Sequence, residues 1–213
     1  GNINGNAITM GATLVFVVFV SAGLVAQGGT YQIDQAASSV FIQVGKGGLF
    51  SFAAHDHEVA APALGGTVVL DQSDAAKSSV SLDFDATALK VTGKGEPAKD
   101  VPEVQAAMLS DRVLDVQRYP KITFRSTRVS VASKAADRFS LNITGDLTLH
   151  GTTKPVTTRV EVGLKDTTLT ATGTTKIRQT DFGMQPVTVA GGTVKVKDEL
   201  EVSFRVVGRR TSG

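Results

Sequence analysis

The sequence predicts an all-β domain, a barrel or sandwich of antiparallel strands with a single helix inserted between them. Three observations predict it. Apolar and polar residues alternate with period two through six segments after Thr30, which gives each strand one oily and one wet face. Such strands belong to an antiparallel sheet wetted on one side, not to a parallel sheet buried on both. The breaks carry turn chemistry, and one stretch alone departs from period two.

The first segment in chain order is not a strand of this kind. Ala12–Ala26 reads ATLVFVVFVSAGLVA, without a charge. That is shorter than the ~20 apolar residues of a membrane-spanning helix and suits the apolar stretch of a secretory signal. Ser21, Ala22, Gly23 and Ala26 supply small residues for cleavage. Residues 1–26 are therefore expected to be a signal peptide with a preceding extension, and 27–213 one domain, periplasmic or secreted, with no stable membrane span after processing. No Lys or Arg precedes Lys46, so the positive leading region is missing; Met10 is a candidate start.

The strands follow. Val40, Ile42 and Val44 alternate with Phe41 and Gln43; Val80, Leu82 and Phe84 with Ser81, Asp83 and Asp85; Ile122 and Phe124 with Thr123 and Arg125. Phe139, Leu141 and Ile143 alternate with Ser140, Asn142 and Thr144, and the pattern resumes at Leu147 and Leu149. Val160, Val162 and Leu164, then Val202, Phe204 and Val206, complete the set. Turns are expected at Lys46-Gly47-Gly48, Gly65-Gly66, Asp71–Asp74, Lys165-Asp166 and Gly191-Gly192. The exception to period two is Val101 to about Val116, where Val104, Met108 and Leu109 recur at helical spacing. Pro102 and Glu103 open it, and Tyr119-Pro120 ends it, because the residue before proline avoids the α region.

Composition removes several functions. The 22 Lys and Arg exceed the 20 Asp and Glu by two, and they are scattered among acids with no Trp and two Tyr. A nucleic-acid surface needs clustered cations with stacking rings, so none is expected. With no cysteine, thiolate catalysis and zinc–thiolate sites are excluded. G-x-S-x-G, P-loop and G-x-G-x-x-G motifs do not occur, and no cofactor is expected.

A closed barrel of about eight strands is filled by side chains or holds one small ligand. The apolar faces here are Val, Ile and Leu with a few Phe. Periodicity alone leaves a hollow interior and a packed sandwich equally open.

Five ordered segments carry a resemblance: YQIDQAASSV (31–40), GGTVVLDQSDAAKSSV (65–80), DVQRYPKITFRST (115–127), GDLTLHGTTKPV (145–156) and IRQTDFGM (177–184). With them the sequence resembles the YceI-like family of lipocalin-like barrels associated with polyisoprenoid lipids. The resemblance implies an extended antiparallel up-and-down β-barrel with one short inserted helix over it. It also implies an elongated pocket for an isoprenoid, isoprenoid-quinone or fatty-acyl chain, and so a binding protein rather than an enzyme. A homodimer stays open. Two segments depart from the family pattern: GKGGLFSFAAHDHEV (45–59), which bears on how the pocket mouth is built and on the headgroup accepted, and GKGEPAKDVPEV (93–104), which replaces the family's usual lead into the helix.

Taking the apolar face as the lumen face, the expected ligand-binding residues are Val40, Ile42, Val44, Leu82, Phe84, Ile122, Phe124, Phe139, Leu141, Phe182 and Phe204, with Met108 from the helix closing one side. The competing chemistry is His55-Asp56-His57-Glu58. In an extended strand His55 and His57 share a face and could reach one divalent metal, with His150 as third ligand and Glu58 as base. A polar turn is the favoured reading, since an H-x-H pair without a locally spaced third ligand is a weak signal. For His150 a hydrogen bond that fixes its turn is favoured. Asp181-Phe182-Gly183 reads as a turn with Asp181 capping, Phe182 buried and Gly183 at positive φ. A filled, ligand-free scaffold barrel is the remaining alternative.

Overall fold

The computed structural model describes residues 28–47, 56–62, 64–189 and 194–212. The expected signal segment, His55, and the Gly48 and Gly191-Gly192 turns lie outside the described residues. In chain order the strands are β1 (Gly29–Ile33), β2 (Ser39–Gly47), β3 (His57–Ala60), β4 (Leu64–Leu70), β5 (Ser79–Asp85) and β6 (Lys90–Val91). After helix α1 (Val101–Leu109) come β7 (Lys121–Lys134), β8 (Arg138–Leu149), β9 (Thr152–Lys165), β10 (Thr168–Arg178), β11 (Thr188–Val189) and β12 (Val194–Ser212).

Hydrogen bonds run β1-β4-β5-β7-β8-β9-β10-β12, and β12 pairs back onto β1. The result is a closed, antiparallel eight-stranded barrel with one helix. Closure removes the exposed sheet edge that an open sheet of this size would present.

The long β12 holds two partners along one edge. Tyr31 to Ile33 of β1 lie opposite Arg210 to Gly208, while Val40 to Val44 of β2 lie opposite Phe204 to Leu200. Between β1 and β2 the chain makes a corner. Asp34 accepts from the Ala37 amide (3.1 Å) and from Arg209 Nε (3.1 Å), and Ser38 Oγ donates to Asp34 O (2.7 Å). The Arg209 bond, first, and the backbone amides hold the Asp34 carboxyl below the ordinary carboxylate range. Beyond the corner, β2-β3-β6 continue the wall, and α1 lies against β6.

The helix is shorter than expected, Val101–Leu109 rather than to about Val116. Ser110 turns to extended backbone (φ −74°, ψ 175°), its hydroxyl donates to Ala107 O (2.7 Å), and Asp115 takes a positive φ of 48°. Local side-chain bonds of this kind compete with helix propagation. The Gly65-Gly66 break is also corrected, since both glycines lie inside β4, paired with Asp83 and Leu82. A side chain at Gly66 would meet Ser81 O at 2.0 Å, so the glycine marks a close strand approach rather than a turn.

Two buried clusters divide the interior. One gathers around Tyr31, Leu70, Phe139, Leu141 and Leu169, and the other around Val40, Leu64, Leu89, Val91 and Met184. Val101, Val104, Met108 and Leu109 of α1 pack on the second.

Candidate ligand cavity and its polar end

Between the two clusters the barrel is hollow. A cavity of about 650 Å³ runs along the inward faces of β2, β5, β7, β8, β9, β10 and β12, and Val104, Ala107 and Met108 of α1 border it. That volume lies within the ~300–1,000 Å³ usual for small-molecule sites.

Ten of the twelve expected lining residues lie on this wall: Val40, Ile42 and Val44 on β2, Leu82 and Phe84 on β5, Ile122 and Phe124 on β7, Leu141 on β8, Phe204 on β12 and Met108 on α1. Ile42, Val44, Leu82, Phe84, Ile122, Phe124 and Phe204 are only half-buried although they face inward. In a filled barrel these side chains would meet one another and be buried. Their accessible surface is the cavity wall.

Phe139 and Phe182 are corrections, for neither borders the cavity. Phe139 points inward but is 1% exposed, packed in the cluster with Tyr31 and Leu169, with the Lys134 ammonium 5.6 Å from its ring centre. Phe182 belongs to the short 3-10 turn after β10, not to a strand, and its ring is 1% exposed. The alternation rule does not govern a turn. Gly183 takes the expected positive φ (72°). The carboxylate that caps this turn is Asp198 of β12, not Asp181. It accepts from Thr180 N (2.9 Å) and Thr180 Oγ1 (2.7 Å), and those bonds, the side-chain one first, hold its carboxyl below the ordinary range.

Two glycines shape the aromatic wall. A Cβ at Gly173 would lie 2.5 Å from Phe204 Cζ, and one at Gly145 would lie 2.3 Å from Phe124 Cζ. Each cavity phenyl rests against backbone on the neighbouring strand. Gly173→Val is therefore expected to push the Phe204 ring from its seat and to destabilise the fold by ~1–3 kcal/mol, the usual cost of overpacking. Urea unfolding of the variant measures this, and an unchanged midpoint would contradict it.

Helix α1 is tied down by one amide. Gln105 Oε1 accepts from Val91 N (2.7 Å) and Gln105 Nε2 donates to Leu89 O (2.9 Å). Val91 is 3% exposed, so Gln105→Leu would leave a buried N–H unmade at a cost of ~1–3 kcal/mol. The expected result is faster amide exchange across Val101–Leu109 with the β8–β9 core unchanged. Equal exchange in both proteins would show that the amide does not hold the helix.

Polar side chains gather on part of the lining. Lys46, His57, Glu96, Asp100, Arg112 and Lys195 border the cavity together with its apolar walls. His57 Nδ1 hydrogen-bonds Glu96 Oε2. The loop that delivers Glu96 is stitched to β3 through Glu58: Thr92 N donates to Glu58 O (2.9 Å), Thr92 Oγ1 to Glu58 Oε1 (3.0 Å), and Lys94 Nζ lies 3.6 Å from Oε2. Gln43 Nε2 donates to the same carboxylate (2.7 Å). That bond, ahead of Thr92 and Lys94, holds Glu58 below its ordinary range. Gly93 and Gly95 take φ of 82° and 78°, the conformations that let the chain turn back between Thr92 and Glu96.

Glu58 thus holds the 92–94 loop to β3. His150 is engaged elsewhere. Its Nδ1 donates to Phe182 O (3.0 Å) and its ring meets Tyr119 edge-on at 4.8 Å, the turn-fixing role that its position favoured. Among the described residues no three His, Cys, Asp or Glu side chains converge on one point. Glu96 went unremarked in the sequence. The only local signal was the G-x-G-E spacing, and its partner His57 lies 39 residues earlier.

Comparison with known proteins places this architecture. A family model described as the YceI-like domain matches residues 31–208. A UPF0312 protein of Vibrio parahaemolyticus is 31% identical over 143 residues, covering 64% of this chain and 68% of that one. A UPF0312 protein of Pseudomonas putida is 40% identical over 88 residues, a match that spans less than half of its length (43%) and 35% of this chain. Among solved structures, Burkholderia cenocepacia BcnA superposes with a TM-score of 0.64 at 23% identity, covering 82% of this chain and 98% of that one. A structure described as a polyisoprenoid binding domain from Saccharophagus degradans gives 0.61 at 14% identity, covering 84% and 98%. At those identities the likeness is one of fold. Among the described residues no helix is long and apolar enough to cross a membrane. With the family model spanning Tyr31 to Gly208 and the closed barrel matching in shape, the chain belongs to the YceI-like family.

Proposed function

We propose that this protein binds one isoprenoid or fatty-acyl lipid along its barrel axis and carries or sequesters it. The observation that carries the reading is the hollow interior, a cavity of about 650 Å³ whose inward-facing Val, Ile, Leu and Phe side chains are left partly accessible. Burying a CH₂ group is worth ~0.8 kcal/mol, so a long chain gains most of its affinity from the walls alone. The family membership and the fold shared with a polyisoprenoid binding domain support the same ligand class. The protein acts by binding rather than by catalysis. Its place of action is the periplasm or the outside of the cell, a reading supported by the uncharged run at residues 12–26.

A fluorescent apolar probe tests the reading. N-phenyl-1-naphthylamine added to solvent-extracted, refolded protein is expected to brighten on entering the cavity and to dim as farnesol displaces it. No brightening, with the barrel shown folded by circular dichroism, would remove the proposal.

A further inference from the structure

Strands β9 and β10 separate partway along the barrel. They pair from Thr168 opposite Lys165 to Gly173 opposite Val160, and no further. Beyond that point Thr174–Arg178 stay on β12, while Thr152–Arg159 stay on β8. Gly173 marks the fork, where a Cβ would meet Arg159 O at 2.7 Å. Pro155, which has no N–H to give, falls in the stretch of β9 that β10 does not pair, a place suited to a strand edge. The 3-10 turn Gln179–Phe182 closes the far end of the fork. It packs against β9, and the bond between His150 Nδ1 and Phe182 O (3.0 Å) fixes it there. Between fork and turn lies a recess of about 190 Å³, bordered by Lys154, Thr157, Lys176 and Asp181. Val156 and Ile177 border both this recess and the barrel cavity. At those two half-buried residues the outer recess and the cavity are one side chain apart.

We propose that this slot is the port through which the apolar chain enters and leaves the barrel, passing sideways between β9 and β10 rather than endwise. The port rests on the reading that a lipid fills the cavity, and it adds the route. The two neighbouring seams, β8–β9 and β10–β12, are laddered along their length. Opening either would break backbone hydrogen bonds whose partners then need water, which is costly. Between residues 154–158 of β9 and 174–177 of β10 there is no such ladder to break. What bars the way is the Val156 and Ile177 side chains, and these clear it by changing rotamer. Thr158 and Thr175 line the cavity beside them, small side chains flanking the passage on the inner face.

The chain has no cysteine, so a pair of introduced thiols is unique. Thr157→Cys with Lys176→Cys places them on the two exposed rims of the slot, where dibromobimane bridges them. Solvent-extracted, full-length protein is loaded with N-phenyl-1-naphthylamine, and its release into excess farnesol is followed by stopped flow. Bridging is expected to slow release about tenfold or more while the probe's equilibrium affinity stays within about twofold, since a blocked route slows entry and exit alike. A control bridge at Glu161→Cys with Thr172→Cys, opposite each other where the strands pair, is expected to leave the rate unchanged. Unchanged release from the slot-bridged protein, its bridge verified by intact mass, would overturn the port. Equal slowing by the control bridge would overturn it too. Where no bridge forms, Ile177→Ala decides: thinning the partition is expected to speed release more than Leu82→Ala, which trims the cavity wall away from the slot. Equal acceleration by the two would count against the port. Failure of every form to bind the probe would instead remove the cavity reading itself.

Discussion

Filling the cavity with Ile42→Trp and Leu82→Trp together is expected to abolish farnesol binding, lowering affinity by about a hundredfold or more, while the barrel stays folded. Both side chains sit on the cavity wall and are half-buried because the space before them is open. Adding volume to a packed core normally costs ~1–3 kcal/mol, because side chains must leave their rotamers. Here the indoles have room, and the apolar surface they bury offsets the strain. Titration with farnesol and thermal unfolding separate the two effects. Lost binding with an unchanged or raised melting temperature supports a hollow interior. A collapse of stability would mean that Ile42 and Leu82 already face packed neighbours.

The second large effect falls at the packed end of the barrel. Phe139→Ala is expected to cost ~3–5 kcal/mol, the range for emptying a fully buried aromatic site, because the ring is 1% exposed among Tyr31, Leu141 and Leu169. Leu82→Ala, by contrast, removes a side chain that borders empty space and is expected to cost about 1 kcal/mol or less, below the usual range for a core leucine. Both residues have the same apolar, inward-facing signature. Urea unfolding of the pair therefore measures the difference between core and wall, and equal losses would contradict the division of the interior drawn here.

That division is what the sequence could not express. Period two identifies the inward face at Leu82 and Phe139 alike, but whether an inward side chain meets another depends on where along the barrel axis it falls. Strands with large apolar residues on one face, such as β5 and β8, were legible. Strand β10 was not, because its inward positions include Ala171 and Thr175, and Gly173 is kept small to seat Phe204. The alternation there is one of size rather than of polarity. β4 was obscured by Gly65-Gly66, whose turn composition conceals a close strand pairing with β5.

The polar end of the site was less legible still. His57 and Glu58 stood out as a cluster of chemistry-bearing residues, and the reading of His57 turned on neighbours in sequence. Its actual partner, Glu96, arrives from a loop that is remote in sequence and fixed by backbone conformation and by bonds to Glu58. No local motif encodes a meeting of that kind. His150 was the reverse case, where a positive φ of 52°, a carbonyl partner and Tyr119 together make a turn lock out of a residue whose chemistry suggested a metal ligand.

Native mass spectrometry of the full-length protein purified from cells without organic solvent tests the barrel's occupancy directly. A second species is expected, heavier than the polypeptide by the mass of one apolar lipid, lost on solvent extraction and absent from the Ile42→Trp/Leu82→Trp protein. A bare polypeptide mass before extraction, joined to an extracted protein that takes up no farnesol, would contradict a lipid-holding barrel.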